Sequence, residues 1–261
     1  MLAALSKVIA ECALSLYPVF VRNIGVPLKL QMWSRFFAYI AISFFFIDHT
    51  FVKRVLFSKE GLLLAAITLV HIYTSYEGFL NMPSGKGYTL FYIYPVLILL
   101  LSGYTVPFLV ALIALGGWLL AMNVKSKYGV VMILLAALTE ALIYFAVRKI
   151  KTLNSWNHVF LSYFLGAITI TVLSVKEIRG MQLNSPLTLA LGGNAILGLL
   201  GYLLRFYSIS RLEPFAYAVL SNVGIVMSFV YGYAWNREIV DWRDCLGALC
   251  VVTACVLAKK K

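Results

Sequence analysis

Between Lys86 and Lys125 the chain carries no charged residue, and the interval is dominated by apolar side chains. A spanning helix needs roughly 20 mainly apolar residues, so a run of this length reads as two membrane helices joined at "SGYT", Ser102 to Thr105. The same pattern continues along the rest of the chain. Charge-poor stretches fall at 2–21, 34–51, 61–80, 87–102, 105–122, 128–147, 157–175, 186–208, 213–234 and 243–258. They predict an all-α integral membrane protein of ten transmembrane helices, with connections too short for a soluble domain. Only 12% of the 261 residues are charged, against about a quarter in a soluble domain, and the mean hydropathy is +0.91.

The first apolar stretch continues into Tyr17–Pro18 and Arg22 without a small-residue cleavage site, so it reads as the first helix and not as a cleaved leader. Cys12, Cys245, Cys250 and Cys255 all fall in predicted spans without metal-ligand spacing and read as packing residues. His49, His71 and His158 lie in three different segments. Neither a metal nor another cofactor is expected, and no cluster of His, Asp or Cys suggests an enzyme. The net charge of +12 is dispersed among short connections. There Lys and Arg set topology and meet anionic headgroups, so the bilayer is the expected partner and nucleic acid is not.

The basic groups "KR" (Lys53–Arg54), "RKIK" (Arg148–Lys151) and the terminal "KKK" (Lys259–Lys261) favour one side of the membrane. By the positive-inside rule both termini are cytoplasmic, most simply at a cytoplasmic membrane. This arrangement puts Lys7 and Arg205 at the cytoplasmic edge, where Arg205 would snorkel, and Arg35 at the opposite edge. No basic pair is then expected at mid-depth, which disfavours a phosphorylated solute.

Shifting the chain by 129 residues places Glu11 on Glu140, Tyr73 on Tyr202, Tyr88 on Tyr217, and Gly103–Tyr104 on Gly232–Tyr233. Each pair falls at the same place in two sets of five helices, 1–124 and 125–261. Five is odd, so the second set must enter from the opposite side, and the expectation is a 5+5 inverted-topology repeat as in many secondary transporters.

The two glutamates are the chief candidate site. Glu11 is the tenth residue from Leu2, about 15 Å along the helix and thus near the middle of a ~30 Å core. Glu140 sits comparably deep in its own segment. An ionised carboxylate there costs at least ~2.5 kcal/mol, so each is a candidate to bind a proton or a cationic solute. The plainer reading is a protonated side chain hydrogen-bonding a neighbouring helix. Cavity-lining candidates are His71, Tyr73, Tyr92, Tyr202, Tyr217, Ser221 and Asn222. Tyr88/Tyr92 and Tyr217/Ser221 are four apart and share a helix face, whereas Tyr88 and Tyr104 suit an interfacial aromatic belt. Pro18, Pro95 and Gly224 mark expected helix irregularities.

The segment "LLRFYSISRLEPFAYAVLSNVGIVMSFVYGYAWNREIVDWRDCLGALCVVTACVLA", Leu203 to Ala258, resembles the closing helices of the drug/metabolite transporter superfamily. The likeness lies in its Pro-containing helix start, small-residue helix, Glu-bearing loop ("NRE", Glu238) and Gly-containing last helix. "GFLNMPSGKGYTLFYIYPVLILLLSG", Gly78 to Gly103, is similar to the first-half counterpart, with Pro95 at the proline of helix four. Ten helices in halves of about 130 residues resemble its EamA-type members. "PFAYAVLSNVGIVMS" and "VIAECALS" also resemble the small multidrug resistance branch, whose first helix carries a membrane-embedded glutamate that takes protons or cationic substrates.

These resemblances imply a secondary transporter, monomeric or homodimeric, working by alternating access, with helices five and ten peripheral. They imply proton-coupled export of an organic cation or amphipathic amine, with Glu11 and Glu140 as its proton and substrate sites. The alternative is an exporter or facilitator of a neutral or zwitterionic metabolite such as an amino acid.

Overall fold

A computed structural model of the chain describes residues 1–105, 109–122, 124, 126–180 and 185–260. Lys125, which ends the uncharged interval, and Lys261, which entered the topology argument, lie outside the described residues. In chain order the elements are α1 (Leu2–Ser15), α2 (Tyr17–Asn23), α3 (Leu28–Ser43), α4 (His49–Val55), α5 (Lys59–Asn81), α6 (Ser84–Phe91), α7 (Ile93–Leu101), β1 (Tyr104–Thr105), α8 (Leu109–Ala121), α9 (Lys127–Lys149) and α10 (Ser155–Leu173). They continue with α11 (Val175–Arg179), α12 (Ser185–Ile209), α13 (Pro214–Ser221), α14 (Val223–Asn236), α15 (Trp242–Val256) and β2 (Lys259–Lys260). The protein is all-helical apart from a two-residue antiparallel bridge that pairs Tyr104 with Lys260.

Among the described residues, seven stretches are long and apolar enough to cross a membrane: α1–α2, α5, α6–α7, α9, α10, α12 and α13–α14. The other three sequence-predicted spans are shorter helices, α3 of 16 residues, α8 of 13 and α15 of 15. The second predicted span, 34–51, needs correction at both ends. α3 starts directly after Pro27, whose fixed φ suits a helix entry, and ends at Ser43. The chain then turns through Phe44–Phe46, and the Asp48 carboxylate accepts from Phe51 N at 3.0 Å to start α4. Arg35 is therefore halfway along α3 and not at its edge.

Three spans are broken where the sequence signals it. Pro18 lacks the N–H that would bond the Leu14 carbonyl, and α1 gives way to α2 at Leu16. Pro95 follows the break at Tyr92 between α6 and α7 and has no N–H for the Phe91 carbonyl, and α13 passes to α14 at Asn222, before Gly224. Beside two of these breaks, Ser15 Oγ is within hydrogen-bond reach of the Gly224 carbonyl at 3.1 Å and the Glu11 carbonyl at 2.6 Å.

The helices pack in related pairs. α1 lies against α12 and the α13–α14 span, while α9 lies against α5 and the α6–α7 span. α3 packs on α10, and α8 on α15 at the flank of α6 and α7. Contact between α1 and α12 is close because of Gly201, where an added Cβ would meet the Leu14 side chain at 2.6 Å. Large apolar side chains such as Leu5, Ile9, Leu189, Ile196 and Leu200 are exposed on the outward faces, as lipid-facing surfaces require.

The end of the bundle opposite the N-terminus is tied by Glu238 in the α14–α15 connection. Its carboxylate accepts from Ser84 N at 2.7 Å and Gly85 N at 3.0 Å, the first turn of α6. It also meets Arg22 Nη1, at the end of α2, at 2.6 Å. Arg237 turns the chain there with φ of 53°, closing α14.

Candidate functional site

α1 presents Lys7 and Glu11 on one buried face, one turn apart. Both side chains are fully buried and ion-paired to each other. The Glu11 carboxylate also accepts from Tyr92 Oη, at the α6/α7 break, and lies 3.4 Å from Tyr94 Oη. From α12, Arg205 Nη2 reaches the two Glu11 oxygens at 3.2 and 3.1 Å. Nη1 of the same guanidinium donates to Glu140 Oε1, on α9, at 2.6 Å. One planar fork thus holds carboxylates from two different helices.

On the far side of Glu140, His71 Nε2 of α5 lies 3.2 Å from Oε2 and 3.1 Å from Tyr202 Oη. His71 Nδ1 is 3.1 Å from both the Ala136 carbonyl and Thr139 Oγ1. Lys7 sits over the Tyr217 ring, with Nζ 3.6 Å from the centroid, and donates to Tyr94 Oη at 3.2 Å. Tyr94 Oη in turn donates to Ser221 Oγ at 3.1 Å. Asn222, buried at the α13/α14 break, donates to the Ala218 and Val219 carbonyls.

Gly224 makes the Tyr92 contact possible: a Cβ there would stand 1.8 Å from Tyr92 Oη. The tyrosine hydroxyl occupies the space a side chain would take.

Further from the N-terminal face a narrow cleft opens, lined by Leu14, Tyr17, Arg35, His71, Ser75, Phe79, Tyr88, Phe91, Tyr202 and Arg205. Its free volume is about 20 Å³, room for a water or so. Arg35 reaches the cleft from α3 with 1% exposure.

Of the sequence candidates, Glu11, Glu140, His71, Tyr92, Tyr202, Tyr217 and Ser221 come together here, and Asn222 stands beside them in the break. Tyr73 does not. It is 44% exposed, because the inward face of α5 runs through His71, Ser75 and Phe79 at steps of four, and a residue two places from His71 points away. Tyr88 is buried in the cleft and not in an interfacial belt, and Tyr104 is buried and stacked on Phe215.

The expected placement of the basic residues is corrected most. Lys7, Arg35 and Arg205 are at most 1% exposed, so they cast no vote on topology and supply the mid-depth basic groups that were not expected. The Lys7–Glu11 spacing of four was the available sign. Nothing comparable in the sequence pointed to Arg205.

The model of a family described as "EamA-like transporter family" matches residues 127–259. No curated protein matches the chain. One solved structure, described as "Crystal structure of protein", is similar with a TM-score of 0.66 at 13% identity, over 98% of this chain and 95% of its own. At that identity the likeness concerns the fold alone.

Proposed function

The chain belongs to the EamA-like transporter family, part of the drug/metabolite transporter superfamily and thus a group of small-solute transporters rather than enzymes; on that premise we propose that it is a secondary transporter of a small zwitterionic or neutral metabolite, working by alternating access around the Glu11–Arg205–Glu140 bridge. The observation that carries this reading is the shared guanidinium, which binds one carboxylate from each half of the chain. A ten-helix 5+5 inverted repeat is part of the proposal. It is supported by the related packing of α1 on α12 and α13–α14 and of α9 on α5 and α6–α7, and by breaks at Tyr92 and Asn222 in corresponding spans. Both termini are placed on the cytoplasmic side.

In this reading the closed state is held by Arg205 and Lys7 on their carboxylates. A solute whose amine competes for a glutamate and whose polar end competes for Arg205 loosens the bridge, and the halves rock to expose the cleft. The binding energy of the solute replaces the ion pairs it displaces, which is the differential affinity that a conformational shift requires.

Proton exchange against an organic cation fits this geometry less well. Glu11 already holds Lys7 and Arg205, and Glu140 holds Arg205. Protonating either would leave buried positive charge uncompensated, which is costly.

The test is counterflow in proteoliposomes loaded with a pool of unlabelled amino acids and supplied with the labelled pool outside. Wild type accumulates label above empty liposomes, and Arg205→Gln does not. Counterflow of labelled tetraethylammonium with none of amino acids would restore the cation reading.

A further inference from the structure

Arg35 is a buried charge without a counter-ion. No ion pair reaches it among the described residues, Nη2 donates to Tyr163 Oη at 3.3 Å, and Nε has no acceptor. Its guanidinium carbon lies 4.7 Å from the ring centroid of Tyr17, 5.0 Å from Tyr202, 5.2 Å from Tyr39 and about 6 Å from Tyr76 and Tyr163. Ring faces are worth about 2 kcal/mol to a desolvated cation, while burying the charge costs several. The tyrosines therefore offset only part of that cost. Both Arg35 and Tyr17 line the cleft, and Tyr17 Oη is a second buried polar atom without a partner.

Counted in their ordinary ionised forms, Lys7, Arg35 and Arg205 face Glu11 and Glu140, and His71 is left neutral. Buried Asp244 lies apart and pairs with Lys86 at 3.2 Å, so the cluster around the cleft carries one more positive than negative charge, and the cleft-lining residue without an anion is Arg35. Resting on the transporter reading above, we infer that Arg35 and Tyr17 form an oxyanion subsite that takes the carboxylate of the transported solute. The planar fork of Arg35 is suited to donating two parallel hydrogen bonds to a carboxylate. The solute's carboxylate supplies Arg35 with the anion that the protein itself does not.

The experiment is thermal unfolding of the purified full chain in detergent with four matched probes: leucine, leucinamide, 4-methylpentanoate and isopentylamine. The alanine and phenylalanine sets run alongside. In wild type the carboxylate-bearing probes stabilise and the amide and amine do not. Arg35→Gln weakens the carboxylate effect about ten- to a hundredfold in concentration, the equivalent of one charge-assisted hydrogen bond. Arg35→Lys retains part of it.

Tyr17→Phe serves as the second variant, which keeps the test open if Arg35→Gln does not fold. It keeps the ring under Arg35 and weakens carboxylate binding, while isopentylamine stays without effect as in wild type. Equal stabilisation by leucinamide, carboxylate binding untouched in both variants, or no stabilisation of wild type by any carboxylate overturns the inference. Arg205-dependent counterflow without a carboxylate preference would overturn it while leaving the transporter reading intact; carboxylate binding without counterflow would do the reverse.

Discussion

Glu11 and Glu140, 129 residues apart in the chain, are held by the two terminal nitrogens of one guanidinium. Arg205 Nη2 serves Glu11 at 3.1 Å and Nη1 serves Glu140 at 2.6 Å. Neither carboxylate faces lipid, and each is at most 1% exposed. Their pairing is what a two-pronged donor does and a single ammonium cannot.

Arg205→Lys should accordingly cost most of what removing the side chain costs. Breaking a buried pair leaves an uncompensated charge, worth about 3–5 kcal/mol. Denaturant titration of the purified protein is expected to show a loss of that order for Arg205→Gln, and at least half of it for Arg205→Lys. A lysine variant as stable as wild type would mean that the fork geometry is immaterial.

Gly224→Ala should displace Tyr92 from Glu11, since the new methyl would stand 1.8 Å from the tyrosine Oη. Overpacking of this kind costs about 1–3 kcal/mol. Removing the hydroxyl with Tyr92→Phe in the same chain should recover part of the loss, although the ring carbon at 2.5 Å still crowds the site. Additive effects of the two changes, measured by thermal unfolding, would count against the contact.

Glu238→Gln should loosen the end of the bundle opposite the N-terminus. The carboxylate caps α6 through Ser84 and Gly85 and pairs with Arg22. Loss of a cap costs about 1 kcal/mol. The expected outcome is a lower melting temperature, with hydrogen exchange at Ser84 and Gly85 faster than in wild type. Unchanged exchange there would contradict the capping role.

The exposed pair between Lys29 and Glu177 gives a pH dependence of known sign. The Lys29 ammonium, donating at 2.9 Å, holds the Glu177 carboxyl below its ordinary value of 4.5. A depressed folded-state value stabilises above the unfolded value and is lost as pH falls through it. Wild type should exceed Glu177→Gln slightly in stability above pH 4.5, with the difference vanishing in more acid solution. Exposed pairs contribute little, so a large difference in melting temperature would show that this pair does more than its exposure allows.

Much of this arrangement was legible in the sequence, and what was not has physical causes. Glu11 and Glu140 stood out because a carboxylate at mid-depth is expensive wherever it is placed. Pro18, Pro95 and Gly224 announced the breaks because each alters the backbone itself. Basic residues carry no such signal: a lysine or arginine near the end of an apolar run is ordinarily at the headgroups, and Lys7, Arg35 and Arg205 were assigned there. For Arg35 the clue was Pro27, which starts α3 early enough to carry residue 35 to its middle. Tyr73 and Tyr202 show the limit of a repeat: equivalent positions in the chain, one 44% exposed and one 4%. A shift that matches residues does not fix which face of the helix each one takes.

Glu11 and Glu140 share one cation, Arg205, and a double-mutant cycle reads whether they act through it. Unfolding free energies of wild type, Glu11→Gln, Glu140→Gln and the double variant would be measured in one detergent at one pH. With either glutamate present Arg205 keeps an anion; with both gone it has none. The double variant is expected to lose more than the two singles together, by over ~1 kcal/mol. Effects that add within about 0.5 kcal/mol, as independent sites do, would contradict it.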